Sequence, residues 1–81
     1  DAHYNLGVAY TTVGDFKNAI SSLRQSIKLN PKDVAAYNNL AVVLARVEDF
    51  DGAIDALRSA VKLNPTIADT RYNLGIALAQ R

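Results

Sequence analysis

A four-residue segment, Lys28-Leu29-Asn30-Pro31, occurs again as Lys62-Leu63-Asn64-Pro65, 34 residues further along the chain. Proline has no backbone N–H and keeps the residue before it out of helical angles, so each Asn-Pro pair should end a helix. The lysine stands in the last helical turn, where the helix dipole favours a cation. The segment therefore predicts the same helix end twice, at a fixed distance.

The rest of the chain repeats with the same period. At an offset of 34 residues the two halves share many identical pairs, including Asn5/Asn39, Leu6/Leu40, Phe16/Phe50, Ala19/Ala53 and Leu23/Leu57. A third copy begins where Tyr4-Asn5-Leu6-Gly7 returns as Tyr72-Asn73-Leu74-Gly75. A period of this length is typical of stacked repeat proteins. We therefore divide the chain into repeat 1 (residues 1–33), repeat 2 (34–67) and a partial repeat 3 (68–81).

Apolar spacing and cap residues predict five helices, at about 1–13, 16–29, 34–46, 50–63 and 68–80. Three aspartates are positioned to accept a hydrogen bond from an early backbone N–H of the second, third and fourth helices. These cap residues are Asp15, Asp33 and Asp49. Because the connections are short, successive helices should be antiparallel neighbours. The prediction is an all-α solenoid without strands, in which Leu40 and Leu57 are buried in the middle repeat.

Four turns should separate these helices, near Gly14, Asn30–Asp33, Glu48 and Asn64–Thr66. Glycine suits the left-handed backbone that commonly follows a helix end. Glu48 occupies the equivalent position in repeat 2, where a left-handed glutamate costs about 1 kcal/mol more than glycine. The sequence therefore favours a differently built turn at Glu48.

Composition argues against several classes of function. The 81 residues include no cysteine and one histidine, and the net charge is +1. We therefore expect no metal site, no cofactor, no catalytic residue and no nucleic-acid binding. No apolar run approaches the roughly 18 residues that a membrane span needs, so we expect a soluble chain without membrane insertion. The sequence does not indicate the cellular compartment. The absence of methionine suggests a piece of a longer protein.

The repeated pattern resembles the tetratricopeptide repeat. Repeat 1 contains His3-x-x-Leu6-Gly7-x-x-Tyr10, Ala19-x-x-x-Leu23 and Pro31, and repeat 2 contains Tyr37-x-x-Leu40-Ala41-x-x-Leu44, Ala53-x-x-x-Leu57 and Pro65. The resemblance covers the whole chain, although the family's tryptophan is absent. It implies a right-handed superhelix in which the first helix of each repeat lines a concave groove. It also implies a scaffold that holds a peptide or another protein and is not an enzyme.

The resemblance places three sets of residues on the groove side. The first set is Asn5, Asn39 and Asn73. Their side-chain amides, if mostly free of bonds within the chain, can donate hydrogen bonds to an extended peptide and accept hydrogen bonds from it. Exposed apolar rows mark binding sites, and the second set is Val8, Val42 and Ile76. The residues that precede the asparagines complete the groove: Tyr4, Asn38 and Tyr72. The alternatives are that the asparagines are solvated or bonded to a neighbouring helix, and that the apolar row supports the core between repeats.

Some members of the family hold a partner's terminal carboxylate with lysine, arginine and asparagine side chains. The corresponding residues here are Tyr4, Val8, Asn39, Asp69 and Asn73, of which only Asn39 matches. The cations that a carboxylate needs are missing, so we do not expect this function.

Two other functions remain open. The chain can be a structural module that self-associates through its open ends, since no following helix covers Leu74, Ile76 and Leu78 fully. It can also be the recognition domain of a larger enzyme, such as a transferase.

Basic side chains form a stripe along the predicted outer helices, and these are Arg24, Lys28, Arg58 and Lys62. The stripe is either a solvated face or a site for a phosphate or an acidic partner.

Overall fold

The computed structural model describes residues 2–80, with the exception of the side chain of Asp69. All regular secondary structure in this range is helical. The helices are α1 (Ala2–Thr12), α2 (Phe16–Leu29), α3 (Val34–Arg46), α4 (Phe50–Leu63) and α5 (Ala68–Gln80). The predicted bounds of α2 to α5 are confirmed. Helix α1 ends one residue earlier than predicted, and its predicted start at Asp1 lies outside the described residues.

The predicted helix caps are confirmed. Asp15, Asp33 and Asp49 each accept a hydrogen bond from the backbone N–H three residues further on, at 3.4, 3.4 and 3.0 Å. At the other ends of α2 and α4, Asn30 and Asn64 still donate to the carbonyl four residues back, at 2.9 and 3.0 Å. The prolines that follow cannot continue this pattern, so both helices end there.

The expectation of a different turn at Glu48 is wrong. Gly14 and Glu48 have φ values of +81° and +65°, so both adopt the left-handed conformation. In each turn this residue donates to the carbonyl three residues back (3.1 and 3.0 Å), and the next residue donates to the carbonyl five residues back (2.9 and 2.8 Å). Equivalent positions of the two repeats therefore have the same left-handed turn conformation, and Glu48 adopts it although glutamate is less stable there than glycine.

The core lies between the paired helices and is centred on repeat 2. Helix α1 packs on α2 and α3 packs on α4, while α2 also contacts α3 and α4 also contacts α5. Leu40 and Leu57 are buried, as predicted. Repeat 2 has neighbours on both sides, and it therefore supplies most of the buried side chains: Leu40, Ala41, Val43, Leu44, Ala53, Ile54, Ala56 and Leu57.

The helices form two layers, and the helices of one layer lie closer together than those of the other. The odd-numbered helices approach one another, α1 with α3 and α3 with α5, whereas no Cα atom of α2 lies within 8 Å of a Cα atom of α4. Helices that converge on one side and separate on the other produce a curved stack. The odd helices therefore form the inner, concave layer and the even helices the outer layer.

Both ends of the stack leave apolar surface uncovered. Leu6 is 46% exposed, whereas its equivalent in repeat 2, Leu40, is 5% exposed. At the other end, a Cβ added at Gly75 would meet nothing within 4 Å, whereas a Cβ at Gly7 would stand 2.5 Å from Cγ of Leu23. The face of α5 that α2 and α4 cover on the earlier repeats is open within the described residues.

Candidate functional site

Three apolar side chains recur at the repeat spacing on the odd-numbered helices. Val8 on α1, Val42 on α3 and Ile76 on α5 are 40%, 37% and 41% exposed. Their exposures are similar although α1 and α5 stand at the ends and α3 in the middle. Each side chain thus leaves more than a third of its surface uncovered, whereas a core position would be closed by its neighbours.

The three asparagines of the concave face differ in their bonding. The Asn39 side-chain amide donates a 2.7 Å hydrogen bond to the hydroxyl of Tyr4. The prediction that these amides are mostly free of bonds within the chain therefore fails at Asn39. Asn5 is exposed and Asn73 is half-buried, and neither makes a side-chain hydrogen bond to another described residue.

A second polar contact joins the next pair of odd helices. The hydroxyl of Thr70 on α5, which is fully buried, donates to Oδ1 of Asn38 on α3 at 2.9 Å. Asn38 is the repeat equivalent of Tyr4, so both positions reach toward the following odd helix. These two residues of the predicted groove therefore also tie successive repeats together.

A cavity of about 270 Å³ opens between α3, α4 and the second half of α5. It brings together three of the predicted groove residues, Val42, Asn73 and Ile76, on a mostly apolar wall. Two exposed polar residues at its edge, Arg46 and Gln80, were missed by the sequence analysis. They stand seven residues after Asn39 and Asn73, and seven residues is about two helical turns, so extending the asparagine row along the same face would have found them.

The remaining predicted groove residues lie apart from this cavity. Tyr72 is 70% exposed on α5, and Asn5 and Val8 are exposed on α1. They extend the concave face toward both ends of the stack. Among the described residues, the predicted groove is therefore a row of separate exposed side chains beside the 270 Å³ cavity.

Metal-binding and membrane-spanning features are not found in the described part of the chain. No group of three or more histidine, cysteine, aspartate or glutamate side chains among residues 2–80 is arranged to hold a metal ion. Within the same range, no helix combines the length and the apolar character that crossing a bilayer requires.

Comparison with known proteins identifies the family. A family model described as tetratricopeptide repeat matches residues 4–66 and again residues 43–81. The chain belongs to the tetratricopeptide repeat family. This fold typically mediates protein–protein interactions, and its members are generally non-catalytic scaffolds.

Solved structures agree with this assignment. The TPR2B domain of yeast Sti1, determined as a complex with pHsp70, is 27% identical with a TM-score of 0.92 over 96% of this chain and 62% of that one. Two structures of MamA are 28% and 32% identical, with TM-scores of 0.94 and 0.90, over 98% and 95% of this chain. They are matched over only 43% and 45% of their own length, so this chain spans less than two thirds of all three. No curated protein matches the chain by sequence.

Proposed function

We propose that this chain is an interaction scaffold that binds an extended peptide segment of a partner protein along its concave face. The observation that carries the proposal is the apolar row of Val8, Val42 and Ile76, each about 40% exposed at the same position of three repeats. Exposed apolar rows of this kind are found where another molecule binds.

Neighbouring polar groups suggest how such a peptide is held. The amides of Asn5 and Asn73, which bond to no described side chain, can each donate to a backbone carbonyl and accept from a backbone N–H. The 270 Å³ cavity beside Ile76 has room for a large apolar side chain. The guanidinium of Arg46 at the cavity edge makes no ion pair with a described residue, so an acidic group in the ligand is favoured there.

The family supports peptide binding but not one particular mode. The related Sti1 domain was determined in complex with pHsp70, which shows that a closely similar fold engages a partner. In this chain only Asn39 matches the carboxylate-binding residues of some family members, and its amide donates to Tyr4. We therefore propose an internal extended segment as the ligand, in preference to a terminal carboxylate.

The proposal can be tested without knowledge of the natural partner. Peptides are selected from a random phage-displayed library on the immobilised chain, and one synthetic peptide is titrated by calorimetry. Ile76→Asp places a charge in the concave row and should weaken binding about tenfold or more. The control is Leu29→Asp, which also replaces an exposed branched apolar residue by aspartate, on outer helix α2. Equal affinities for the two folded variants would exclude the concave face.

A second candidate function is self-association through α5. The observation that favours it is the open face around Gly75, where an added Cβ meets no atom within 4 Å and Leu78 is 44% exposed. Sedimentation velocity over a range of concentrations tests this, with Leu78→Glu compared with Val13→Glu at the opposite end. A monomer that persists to about millimolar concentration would exclude a structural role of this kind.

A further inference from the structure

The even helices enclose a second, separate concavity on the outer side of the stack. The backbones of α2 and α4 stand apart, and a cavity of about 460 Å³ is lined by residues of both helices and of α3. We call this cavity the outer groove. It shares no lining residue with the cavity beside Ile76, so it is independent of the proposed peptide site.

The floor of the outer groove is apolar. Leu40 and Leu44 of α3 form its deepest part and are almost fully buried. Tyr37 of α3 and Ile27 of α2 stand higher in the groove and are half-buried. Apolar surface that is only partly covered gains free energy when another apolar surface excludes the remaining water.

The two walls of the outer groove carry opposite charges that do not neutralise each other. Arg24 and Lys28 stand one helical turn apart on the α2 wall, and Asp55 stands on the α4 wall. All three are exposed, and none of them forms an ion pair with a described residue. The two cations are therefore available to an anionic partner group.

The shape of the outer groove suits a helix. The lining residues of each wall recur at spacings of three and four, which produces the ridges that a neighbouring helix packs against. On the α4 wall these residues are small apart from the carboxylate, namely Gly52, Ala56 and Ser59. An amphipathic helix lying in a groove is one of the common modes of peptide recognition.

We propose that the outer groove docks an amphipathic helix of a partner protein. The apolar face of this helix covers the half-buried Tyr37 and Ile27, and acidic residues on one flank face Arg24 and Lys28. Nucleic acid fits the groove less well, because its floor is apolar and the carboxylate of Asp55 on the opposite wall repels phosphate. A second copy of this chain is the alternative occupant, and the test has to distinguish it from a helix of a partner protein.

The test uses a defined probe and two matched variants. The probe is a blocked peptide of leucine, alanine and glutamate, about 14 residues long to match the outer helices, with leucines on one face and glutamates on one flank. The variant Arg24→Glu/Lys28→Glu reverses the groove cations. The control Arg58→Glu/Lys62→Glu makes the same charge change at the equivalent positions of α4, which do not line the groove. All four side chains are exposed, so both variants should fold.

The expected result is that the wild type binds the probe and that the groove variant binds about tenfold more weakly or worse, while the control changes little. Amide chemical shifts should move on α2 and α4 near Arg24 and Asp55. Equal losses in both variants, or no binding to the wild type at about millimolar probe, would overturn the proposal. Shifts confined to the concave face around Val42 and Ile76 would overturn it as well. Sedimentation without the probe addresses the second copy, because a dimer sensitive only to the groove variant would show that this chain is the occupant.

Discussion

The side-chain amide of Asn39 on α3 donates a 2.7 Å hydrogen bond to the hydroxyl of Tyr4 on α1, across two successive repeats. At the next step along the stack, Asn38 takes the position of Tyr4 and accepts from the buried hydroxyl of Thr70 on α5. The odd helices are thus joined by one polar contact at each step. These contacts are made by residues that would otherwise be available to a ligand.

The Tyr4–Asn39 contact should contribute measurably to stability. Tyr4→Phe and Asn39→Ala should each lower the free energy of unfolding by about 0.5–1.5 kcal/mol, the usual net contribution of one hydrogen bond. Because both changes remove the same bond, the double variant should lose less than the sum of the two. Urea denaturation of the four proteins measures this coupling. Strict additivity would mean that the bond contributes nothing to the folded state.

The left-handed turns offer a stabilising substitution. Glu48 has a φ of +65°, which costs a side-chain-bearing residue about 1–2 kcal/mol, although glycine also makes the unfolded chain more flexible. Glu48→Gly should therefore raise the free energy of unfolding by about 0.5–1 kcal/mol. Gly14→Ala, at a φ of +81°, should lower it by about 1 kcal/mol. Thermal or urea unfolding distinguishes the two, and a destabilised Glu48→Gly would show that the glutamate side chain stabilises this turn.

Two of the helix glycines, Gly7 on α1 and Gly75 on α5, should respond oppositely to alanine. At Gly7 a Cβ would approach Cγ of the fully buried Leu23 to 2.5 Å, so Gly7→Ala should overpack the α1–α2 contact. Overpacking costs about 1–3 kcal/mol and outweighs the gain of about 1 kcal/mol in helix propensity. Gly75→Ala gains the same propensity against open space and should be stabilising. Chemical denaturation of both variants would contradict this account if Gly7→Ala were the more stable of the two.

The buried leucines of repeat 2 should be the most sensitive positions. Leu57 is 1% exposed and Leu40 is 5% exposed, and removal of such a side chain costs about 2–5 kcal/mol. A domain of this size has little stability to spare, so either alanine variant should unfold most of the chain at ambient temperature. Leu29→Ala, at an exposed leucine, should change the free energy of unfolding by about 0.5 kcal/mol or less. Circular dichroism with urea titration separates these outcomes.

The fold could be predicted from the sequence because its signals are local and occur more than once. The bounds of α2 and α4 follow from an aspartate cap at one end and Asn-Pro at the other. Both signals occur at equivalent positions in the two repeats, so each repeat supports the prediction for the other. The turn at Glu48 could not be predicted in the same way. A glutamate alone argues against a left-handed residue, and only the packing of α3 on α4 fixes the backbone there.

The candidate site was less predictable because it depends on distances between side chains of different repeats. Sequence spacing indicates that Asn39 shares a face with Val42, but it does not indicate that the phenol of Tyr4, 35 residues away, reaches the Asn39 amide. Arg46 is a different case. It follows Asn39 by seven residues, about two helical turns, and therefore lies on the same helical face. Continuing the asparagine row along that face would have identified it.

The asparagine row leads to the prediction that tests the concave face most directly. Equivalent residues of adjacent repeats should stand about 10 Å apart, the distance between packed helices. An extended peptide advances about 3.3 Å per residue, so one asparagine meets about every third residue of a ligand. Each bond from an amide to the peptide backbone contributes about 0.5–1.5 kcal/mol, and ordering of the peptide offsets part of this.

Because Asn39 donates to Tyr4, the three asparagines should not contribute equally. Asn5→Ala and Asn73→Ala should each weaken a selected peptide by about threefold to tenfold with stability unchanged. Asn39→Ala should weaken it less and should lower stability, since one N–H donor of this amide is already bonded to Tyr4 within the chain. Calorimetric titration measures the affinities, with Gln25→Ala on the exposed side of α2 as the control amide. Unchanged affinity in folded Asn5→Ala and Asn73→Ala would mean that the asparagines recur for reasons other than peptide binding.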